Sequence, residues 1–201
     1  MALAARLVVL VRHGETPWSL AGKHTGRTDI ALTDAGRDAA RRVGEALAGR
    51  AFARVLSSPL ARALDTCRLA GFGDRAERDE ALLEWDYGEY EGLTTPEIRA
   101  ARPDWWLWRD GCPGGEAPGE VAARVDPLVA SLAASEGDVL VFAHAHLLRV
   151  LAARWLGLPP SEGRLFALGT ASLSALGFER EERVIARWND DSHLRRAPSA
   201  T

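Results

Sequence analysis

Two short runs of apolar residues constrain the fold of this chain more than any other feature. Residues 7–11 (Leu-Val-Val-Leu-Val) and 139–143 (Val-Leu-Val-Phe-Ala) are continuously apolar and mostly β-branched or large. Such runs are typical of strands buried on both faces of a parallel sheet. A weaker run at 53–56 and a partly alternating pair at 171–178 and 183–188 predict three further strands.

The segments between these runs have the capping and boundary residues of helices. Strands that alternate with helices of ten or more residues imply right-handed crossovers and a sheet covered on both faces. We therefore predict an α/β fold, a three-layer α/β/α sandwich with a mainly parallel central sheet. The predicted helices occupy residues 35–48, 59–69, 120–134 and 147–156.

The chain length of 201 residues fits one domain, which we expect to span residues 1–194. Its least regular part is 102–119, which combines three tryptophans with several glycines and prolines. We expect a long loop there that serves as a lid or a binding wall. Residues 195–201 are predicted to form a disordered tail.

The composition excludes several classes of protein. A net charge of −3 provides no general field that would attract nucleic acid or an anionic membrane. The first apolar run is too short for a secretory signal or a membrane span. Cys67 and Cys112 are too few for a zinc knuckle or a redox pair, so we expect free thiols and a cytoplasmic location. A homodimer is compatible with these features.

Two histidines follow the two strongest strands directly. Arg12 and His13 come after the run at 7–11, and His144 comes after the run at 139–143. Ligands of open α/β sheets bind beyond the carboxyl ends of the strands, so these side chains would meet if the strands are neighbours. Arg62, early in the helix at 59–69, can point to the same place. Two guanidiniums and two imidazoles together suit a phosphate dianion.

These residues form part of a series of motifs that resembles the histidine phosphatase superfamily, the phosphoglycerate-mutase-like fold, over nearly the whole chain. The similar segments are LVRHGET at 10–16, TGRTD at 25–29, SSPLAR at 57–62, EWDYGEYEG at 84–92, and His144.

The resemblance implies a role for each matching residue. His13 would be the nucleophile that becomes phosphorylated, Glu84 the proton donor, and Arg12, Arg62 and His144 the phosphate clamp. We expect a neutral imidazole at His13 and a His144 that bound phosphate holds cationic. The implied reaction is hydrolysis of phosphate monoesters through a phosphohistidine, with no metal and no cofactor.

The residues after the Tyr-Gly segment indicate the branch of the superfamily. The mutase branch has a lysine where this chain has Thr95, and beyond it a pair of arginines; no Arg-Arg pair occurs between 97 and 119 in this chain. Hydrolysis is therefore favoured over mutase-type transfer. The chain is more similar to broad-specificity acid phosphatases and sedoheptulose bisphosphatases, which makes a small phosphorylated metabolite, above all a sugar phosphate, the expected partner.

Two residues depart from the family pattern. Ala145 follows the second histidine where glycine is common, and its methyl group could weaken phosphate binding. Ala117 stands where serine often follows Gly-Gly-Glu, which removes a helix-capping hydroxyl.

Several further residues are candidates for substrate binding, although roles unrelated to the substrate stay open for some of them. His24 could be an exposed loop residue and His146 a structural one, while packing is favoured over ligand stacking for the tryptophans at 105, 106 and 108. The candidates are Ser19, His24, Thr25, Gly26, Tyr87, Ala145 and His146.

Two other functions compete with this hypothesis. A metal-dependent hydrolase could use His144 and His146 as ligands, but Arg12 and Arg62 would then repel the metal. A non-catalytic phosphate-binding regulatory module is opposed by the presence of both the nucleophile and the proton donor.

Overall fold

The centre of the protein is a twisted sheet, seen in a computed structural model that describes residues 6–195. In this part of the chain its strands are β1 (Val8–Arg12), β2 (Arg54–Ser57), β3 (Ala76–Arg78), β4 (Val139–Ala143), β5 (Leu173–Glu179) and β6 (Glu182–Asp190). The strand order is β3-β2-β4-β1-β5-β6. Strands β1 to β4 are parallel, and the hairpin of β5 and β6 joins antiparallel to β1.

Helices cover both faces of the sheet, which confirms the predicted fold. Apolar residues of α6 and α7 pack on one face, and those of α2 and α3 pack on the other. The α-helices of the described residues are α1 (Pro17–Leu20), α2 (Asp34–Ala46), α3 (Ala61–Leu69), α4 (Thr95–Ala101), α5 (Leu107–Asp110), α6 (Pro118–Ala133) and α7 (Ala145–Trp155).

The register of the two central strands determines where the site lies. Arg12 of β1 pairs with Ala143 of β4, and the backbone N–H of His13 donates to the Ala143 carbonyl at 2.9 Å. Both strands thus end at the same level. His13 and His144 follow them and lie side by side, as the apolar runs predict.

Parts of the structure differ from the sequence-based prediction. Strand β3 has the sequence Ala-Glu-Arg, which carries no apolar pattern, and the short α4 lies in a segment for which no helix was predicted. Residues 102–119 are not a continuous loop, because they contain α5 and the first residues of α6. The carboxylate of Asp110 accepts the backbone N–H of Trp106 at 2.7 Å and closes the α5 turn. The predicted tail, apart from Arg195, lies outside the described residues.

Two findings concern the cysteines and the helices of the protein. Cys67 and Cys112 are both free and buried. None of the helices formed by residues 6–195 has the length and apolar character needed to cross a membrane.

Candidate active site

His13 is held in one tautomer by its own loop. Its Nδ1 lies 2.7 Å from the carbonyl oxygen of Gly14, which can only accept, so Nδ1 carries the proton and Nε2 keeps its lone pair. Burial lowers the pKa of His13 well below its usual value, and Arg12 and Arg62 lower it further. The ring is therefore neutral, as a nucleophile requires. The hydroxyl of Thr66 accepts the Gly14 N–H at 3.0 Å and fixes this loop on α3.

His144 is fully buried next to His13, with 5.2 Å between the two ring centroids. Its Nδ1 accepts a hydrogen bond from Arg62 Nε at 3.1 Å, and its Nε2 lies 2.7 Å from the Ser58 hydroxyl. Because Arg62 can only donate, Nδ1 is unprotonated and the ring is neutral. Burial, together with Arg62, lowers the pKa of His144 well below its usual value. The expectation that bound phosphate holds His144 cationic concerns the liganded protein and stays a prediction.

Arg62 is committed mainly to the protein itself. Its guanidinium donates to the carbonyl oxygens of Thr25, Gly26 and Thr28 at 2.9 to 3.0 Å, besides the bond to His144. Four of its five N–H groups are used in this way. The fifth N–H is left for an anion, so the expected part of Arg62 in phosphate binding stays a prediction.

Arg12 has the exposure to the cavity that Arg62 lacks. One of its terminal nitrogens donates to the Leu168 carbonyl at 2.6 Å, which fixes the side chain. Its Nε is buried and has no hydrogen-bond partner within residues 6–195. Its remaining terminal N–H groups make no hydrogen bond in this range either, and they are available to an anion in the cavity that Arg12 lines. Arg12 is therefore the guanidinium best placed to bind phosphate.

Glu84 lies at the amino end of α7. Its Oε1 accepts the backbone N–H groups of Trp85 at 2.9 Å and Leu147 at 2.8 Å, and its Oε2 accepts that of His146 at 3.2 Å. These amides hold the carboxyl group in one orientation at the positive end of the helix dipole. Oε2 makes the longer bond and retains capacity to exchange a proton with a ligand.

The segment before Glu84 is held by a residue that the sequence did not reveal. Arg124 of α6 donates to the carbonyl oxygens of Ala81, Leu83 and Glu84 at 2.9 to 3.1 Å. It also forms an ion pair with Glu116 at 2.6 Å. Arg124 positions Glu84 and does not line the cavity.

A cavity of about 300 Å³ opens at His13. Arg12, His13 and Glu84 line it, whereas Arg62 and His144 do not. The predicted substrate-binding residues that line it are Ser19, His24, Thr25, Tyr87, Ala145 and His146.

Gly26 is the one predicted substrate-binding residue that does not line the cavity. Its N–H donates to the carboxylate of Glu91 at 2.8 Å and its carbonyl accepts from Arg62. A Cβ on Gly26 would overlap Glu91 and the backbone of Trp85. Gly26 therefore allows the cavity loop to pack closely, and it positions Thr25.

The two departures from the family pattern have simple structural consequences. Ala145 is the first residue of α7, a helical position that accepts a methyl group without strain. Ala117 precedes α6 in an extended conformation and offers no side-chain cap, although Glu120 accepts its N–H at 2.7 Å. The hydroxyl of Ser19 is likewise occupied by a local cap, since Thr16 N–H donates to it at 2.9 Å.

His146 and Tyr87 form a neutral pair on one wall. Tyr87 Oη and His146 Nδ1 are 2.6 Å apart and share a hydrogen bond. Burial raises the pKa of Tyr87 well above its usual value and lowers that of His146 well below. His24 packs on Tyr87 with 4.8 Å between ring centroids, and burial lowers its pKa to about 4. The wall thus offers neutral hydrogen-bonding groups.

Two cations of the cavity, Lys23 and Arg149, were not predicted from the sequence. Arg149 follows His146 by three residues on α7, so helical spacing from that histidine was the available signal. Its guanidinium lies over the Trp108 ring at 4.6 Å and donates to the carbonyl oxygens of Gly163 and Arg164. No such signal marks Lys23.

The donor set does not favour a metal centre at this place. Both ring nitrogens of His144 are engaged, and His146 Nδ1 is bonded to Tyr87. Within the described part of the chain no three His, Cys, Asp or Glu side chains are grouped so that they could hold a metal ion.

Comparison with known proteins agrees with this geometry. Residues 8–191 match the model of the histidine phosphatase superfamily (branch 1). An acid phosphatase of Mycobacterium tuberculosis is 45% identical over 190 residues, which are 92% of this chain and 93% of that protein. A sedoheptulose 1,7-bisphosphatase of Saccharomyces cerevisiae is 36% identical over 182 residues, which are 75% of this chain and 67% of that protein.

A solved structure shows the same fold. It comes from a functionally characterised open reading frame of Mycobacterium tuberculosis and has a TM-score of 0.87 at 45% identity, covering 92% of this chain and 97% of that one. Sequence motifs, fold and site geometry lead to one assignment: the chain belongs to the histidine phosphatase superfamily.

Proposed function

We propose that this protein hydrolyses phosphate monoesters through a phosphohistidine formed on His13, without a metal ion. The observation that carries the proposal is the Nδ1–H to Gly14 hydrogen bond, which leaves Nε2 of a neutral, buried ring as a nucleophile on the cavity. Arg12, which also lines the cavity, has terminal N–H groups left for the phosphate.

The first half-reaction forms the Nε2–P bond and breaks the bond between phosphorus and the ester oxygen. Glu84 gives a proton to the departing alkoxide, while Arg12 and the remaining N–H of Arg62 stabilise the charge on the phosphoryl oxygens. In the second half-reaction water attacks phosphorus, the Nε2–P bond breaks, and Glu84 takes the proton from the water. The products are the alcohol and inorganic phosphate.

The substrate class that we propose is small phosphorylated metabolites, with sugar phosphates first. Support comes from the cavity of about 300 Å³, the neutral hydrogen-bonding wall and the relatives named acid phosphatase and sedoheptulose bisphosphatase. The two buried free thiols support a reducing, cytoplasmic setting.

Mutase-type transfer is the second candidate, and the cavity argues against it. Thr95 lines the cavity where the mutase branch has a lysine, and its hydroxyl lies 3.3 Å from His24 Nε2. A mutase would return phosphate to another carbon of the substrate, whereas the proposed hydrolase releases inorganic phosphate.

Steady-state hydrolysis of p-nitrophenyl phosphate and a panel of sugar phosphates, with and without EDTA, tests the proposal. We expect release of inorganic phosphate that EDTA does not alter, and competitive inhibition by vanadate, which mimics the transferring phosphoryl group. Activity that disappears with chelator and returns with zinc or manganese would contradict the metal-independent mechanism.

A further inference from the structure

A second cavity of about 190 Å³ adjoins the first and shares the side chains of His24, Thr95 and His146 with it. His13 and Glu84 line only the first cavity. A group bound in the second cavity would therefore not contact His13 or Glu84.

The tryptophans at 105, 106 and 108 divide into two groups at this place. Trp105 and Trp108 are only 3% and 6% exposed, and Trp105 Nε1 donates to the Gly111 carbonyl at 2.8 Å. Trp106 is 38% exposed and lines the second cavity. Trp105 and Trp108 thus form a packed base for the second cavity. The Trp106 ring is free to lie against a ligand, as indole rings do against the C–H faces of sugars.

Arg99 supplies the charge of the second cavity. This residue lies in the last turn of α4, lines the cavity, and donates from Nε to the Trp105 carbonyl at 3.0 Å, which fixes the side chain. Its terminal nitrogens make no ion pair or hydrogen bond within residues 6–195, and in that range no carboxylate lines this cavity. Arg109 nearby is by contrast paired with Asp110 at 2.7 Å.

The shared wall carries no charge of its own. His24 and His146 are neutral near pH 7, because burial lowers the pKa of both. Their ring nitrogens and the Thr95 hydroxyl can bond sugar hydroxyls. An ammonium group would meet Arg99 without a neutralising carboxylate, so the cavity favours polyols and anions over cations.

We propose that the second cavity binds the far end of an extended sugar phosphate, whose carbon skeleton lies against Trp106 and whose second anionic group, a carboxylate or phosphate, pairs with Arg99. The proposal rests on the proposed function, since the first phosphate must lie at His13. It narrows the substrate class to sugar phosphates with negative charge at both ends.

A matched substrate pair isolates the contact with Arg99. In 6-phosphogluconate and glucitol 6-phosphate the single phosphate fixes the orientation, and the far carbon carries either a carboxylate or a hydroxyl. We expect the wild-type protein to favour 6-phosphogluconate in kcat/KM. Arg99→Gln should reduce that preference roughly threefold to tenfold, between the effects of an exposed ion pair and of a charged hydrogen bond. The change should lie in KM, because the contact is remote from the reacting atoms.

Two further variants control for charge and geometry. Arg99→Lys keeps the charge and should retain part of the preference. Arg109→Gln removes a cation from the neighbouring helix outside both cavities, and should leave the preference as it is in the wild type.

A third variant tests the aromatic surface. Trp106→Ala should raise KM for both six-carbon substrates relative to glycerol 3-phosphate, which is too short to reach the second cavity.

The failure of this inference is distinguishable from the failure of the proposed function. A wild-type protein that hydrolyses neither six-carbon ester nor p-nitrophenyl phosphate contradicts the proposed function. Hydrolysis of both esters with a preference that is the same in the wild type, Arg99→Gln and Arg109→Gln overturns the assignment of the second cavity and leaves the proposed function intact.

Discussion

Arg62 Nε donates to His144 Nδ1 across 3.1 Å, and the same guanidinium donates to three carbonyl oxygens of the loop at 25–28. The fully buried side chain of Arg62 thus connects His144 to the loop at 25–28. It fixes the tautomer of His144 and the position of Thr25 together. The role of Arg62 is for this reason more architectural than that of Arg12.

Replacing Arg62 by lysine tests this role, because the positive charge stays while the planar fork is lost. Lysine has three donors on one atom and cannot reach the three carbonyls and His144 together. We expect the free energy of unfolding to fall by roughly 2–4 kcal/mol, since each buried carbonyl without a partner costs about 1–3 kcal/mol. We also expect kcat/KM to fall at least tenfold.

Urea denaturation and steady-state kinetics measure these two effects. Arg68→Lys on the same helix is the matched control, because Arg68 forms an exposed pair with Asp65. The control should change stability by less than about 0.5 kcal/mol. Equal effects of the two substitutions would show that the fork of Arg62 is not needed.

Glu84→Gln separates the two proton transfers. The amide oxygen of the new side chain could still accept the Trp85 and Leu147 N–H groups, but the amide cannot exchange a proton as a carboxyl group does. A nitrophenolate leaves without protonation, so His13 should still become phosphorylated by p-nitrophenyl phosphate, while the water step should slow roughly hundredfold or more.

Rapid mixing should then show a burst of nitrophenolate before slow turnover. An alkyl phosphate is the matched comparison, because its leaving group needs the proton and should give no burst. Wild-type turnover of both substrates by Glu84→Gln would remove Glu84 from the mechanism.

Stability should depend on pH through the buried histidines. The pKa of His24 in the folded protein is about 4, below the ordinary histidine value of about 6.5 expected when the chain is unfolded. Between these values the unfolded chain binds a proton that the folded protein does not, so stability falls as pH falls. His13, His144 and His146 act in the same direction.

Urea denaturation at pH 7 and pH 5 checks this dependence. His24→Asn should lose less stability than the wild type over this interval, by about 2 kcal/mol. The comparison uses the difference between the two pH values, so a constant effect of the substitution cancels. Identical pH dependence in both proteins would mean that His24 is as easily protonated in the fold as in the unfolded chain.

Ala117→Ser should stabilise the protein. Position 117 precedes α6 with extended backbone angles, and its N–H is already bonded to Glu120. A serine hydroxyl there can accept the Glu120 N–H and complete the reciprocal cap, which is worth about 1 kcal/mol. Ala117→Val has no acceptor and should give no gain. A stabilisation shared by both variants would point to packing instead of capping.

A site residue can be predicted from the sequence when the pattern that marks it lies next to it in the chain. His13 and His144 follow buried strands directly, so their positions and their adjacency could be predicted from two apolar runs. Glu84 can be predicted only from the motif that contains it, because neither the end of a strand nor the start of a helix marks its position. Its neighbours on α7 become apparent only when the chain is folded.

Other parts of the site depend on contacts that no local pattern contains. Arg124 reaches the backbone of Glu84 from 40 residues away, and Arg149 lies over Trp108 from another helix. The hydrogen bonds of Arg62 to the loop at 25–28 are likewise not predictable, since helix position alone does not show where a long side chain ends. The sequence does not distinguish the three tryptophans at 105, 106 and 108, of which folding buries two and leaves one exposed.

The most direct test of the mechanism is to trap the covalent intermediate. Rapid mixing with ³²P-labelled substrate, and then denaturation at alkaline pH, should leave acid-labile phosphate on the peptide that contains His13. The label and the turnover should both be absent in His13→Ala, while a far-UV spectrum like that of the wild type shows that the variant is folded. A His13→Ala protein that turns over substrate at the wild-type rate, or label found on another residue, would contradict the account.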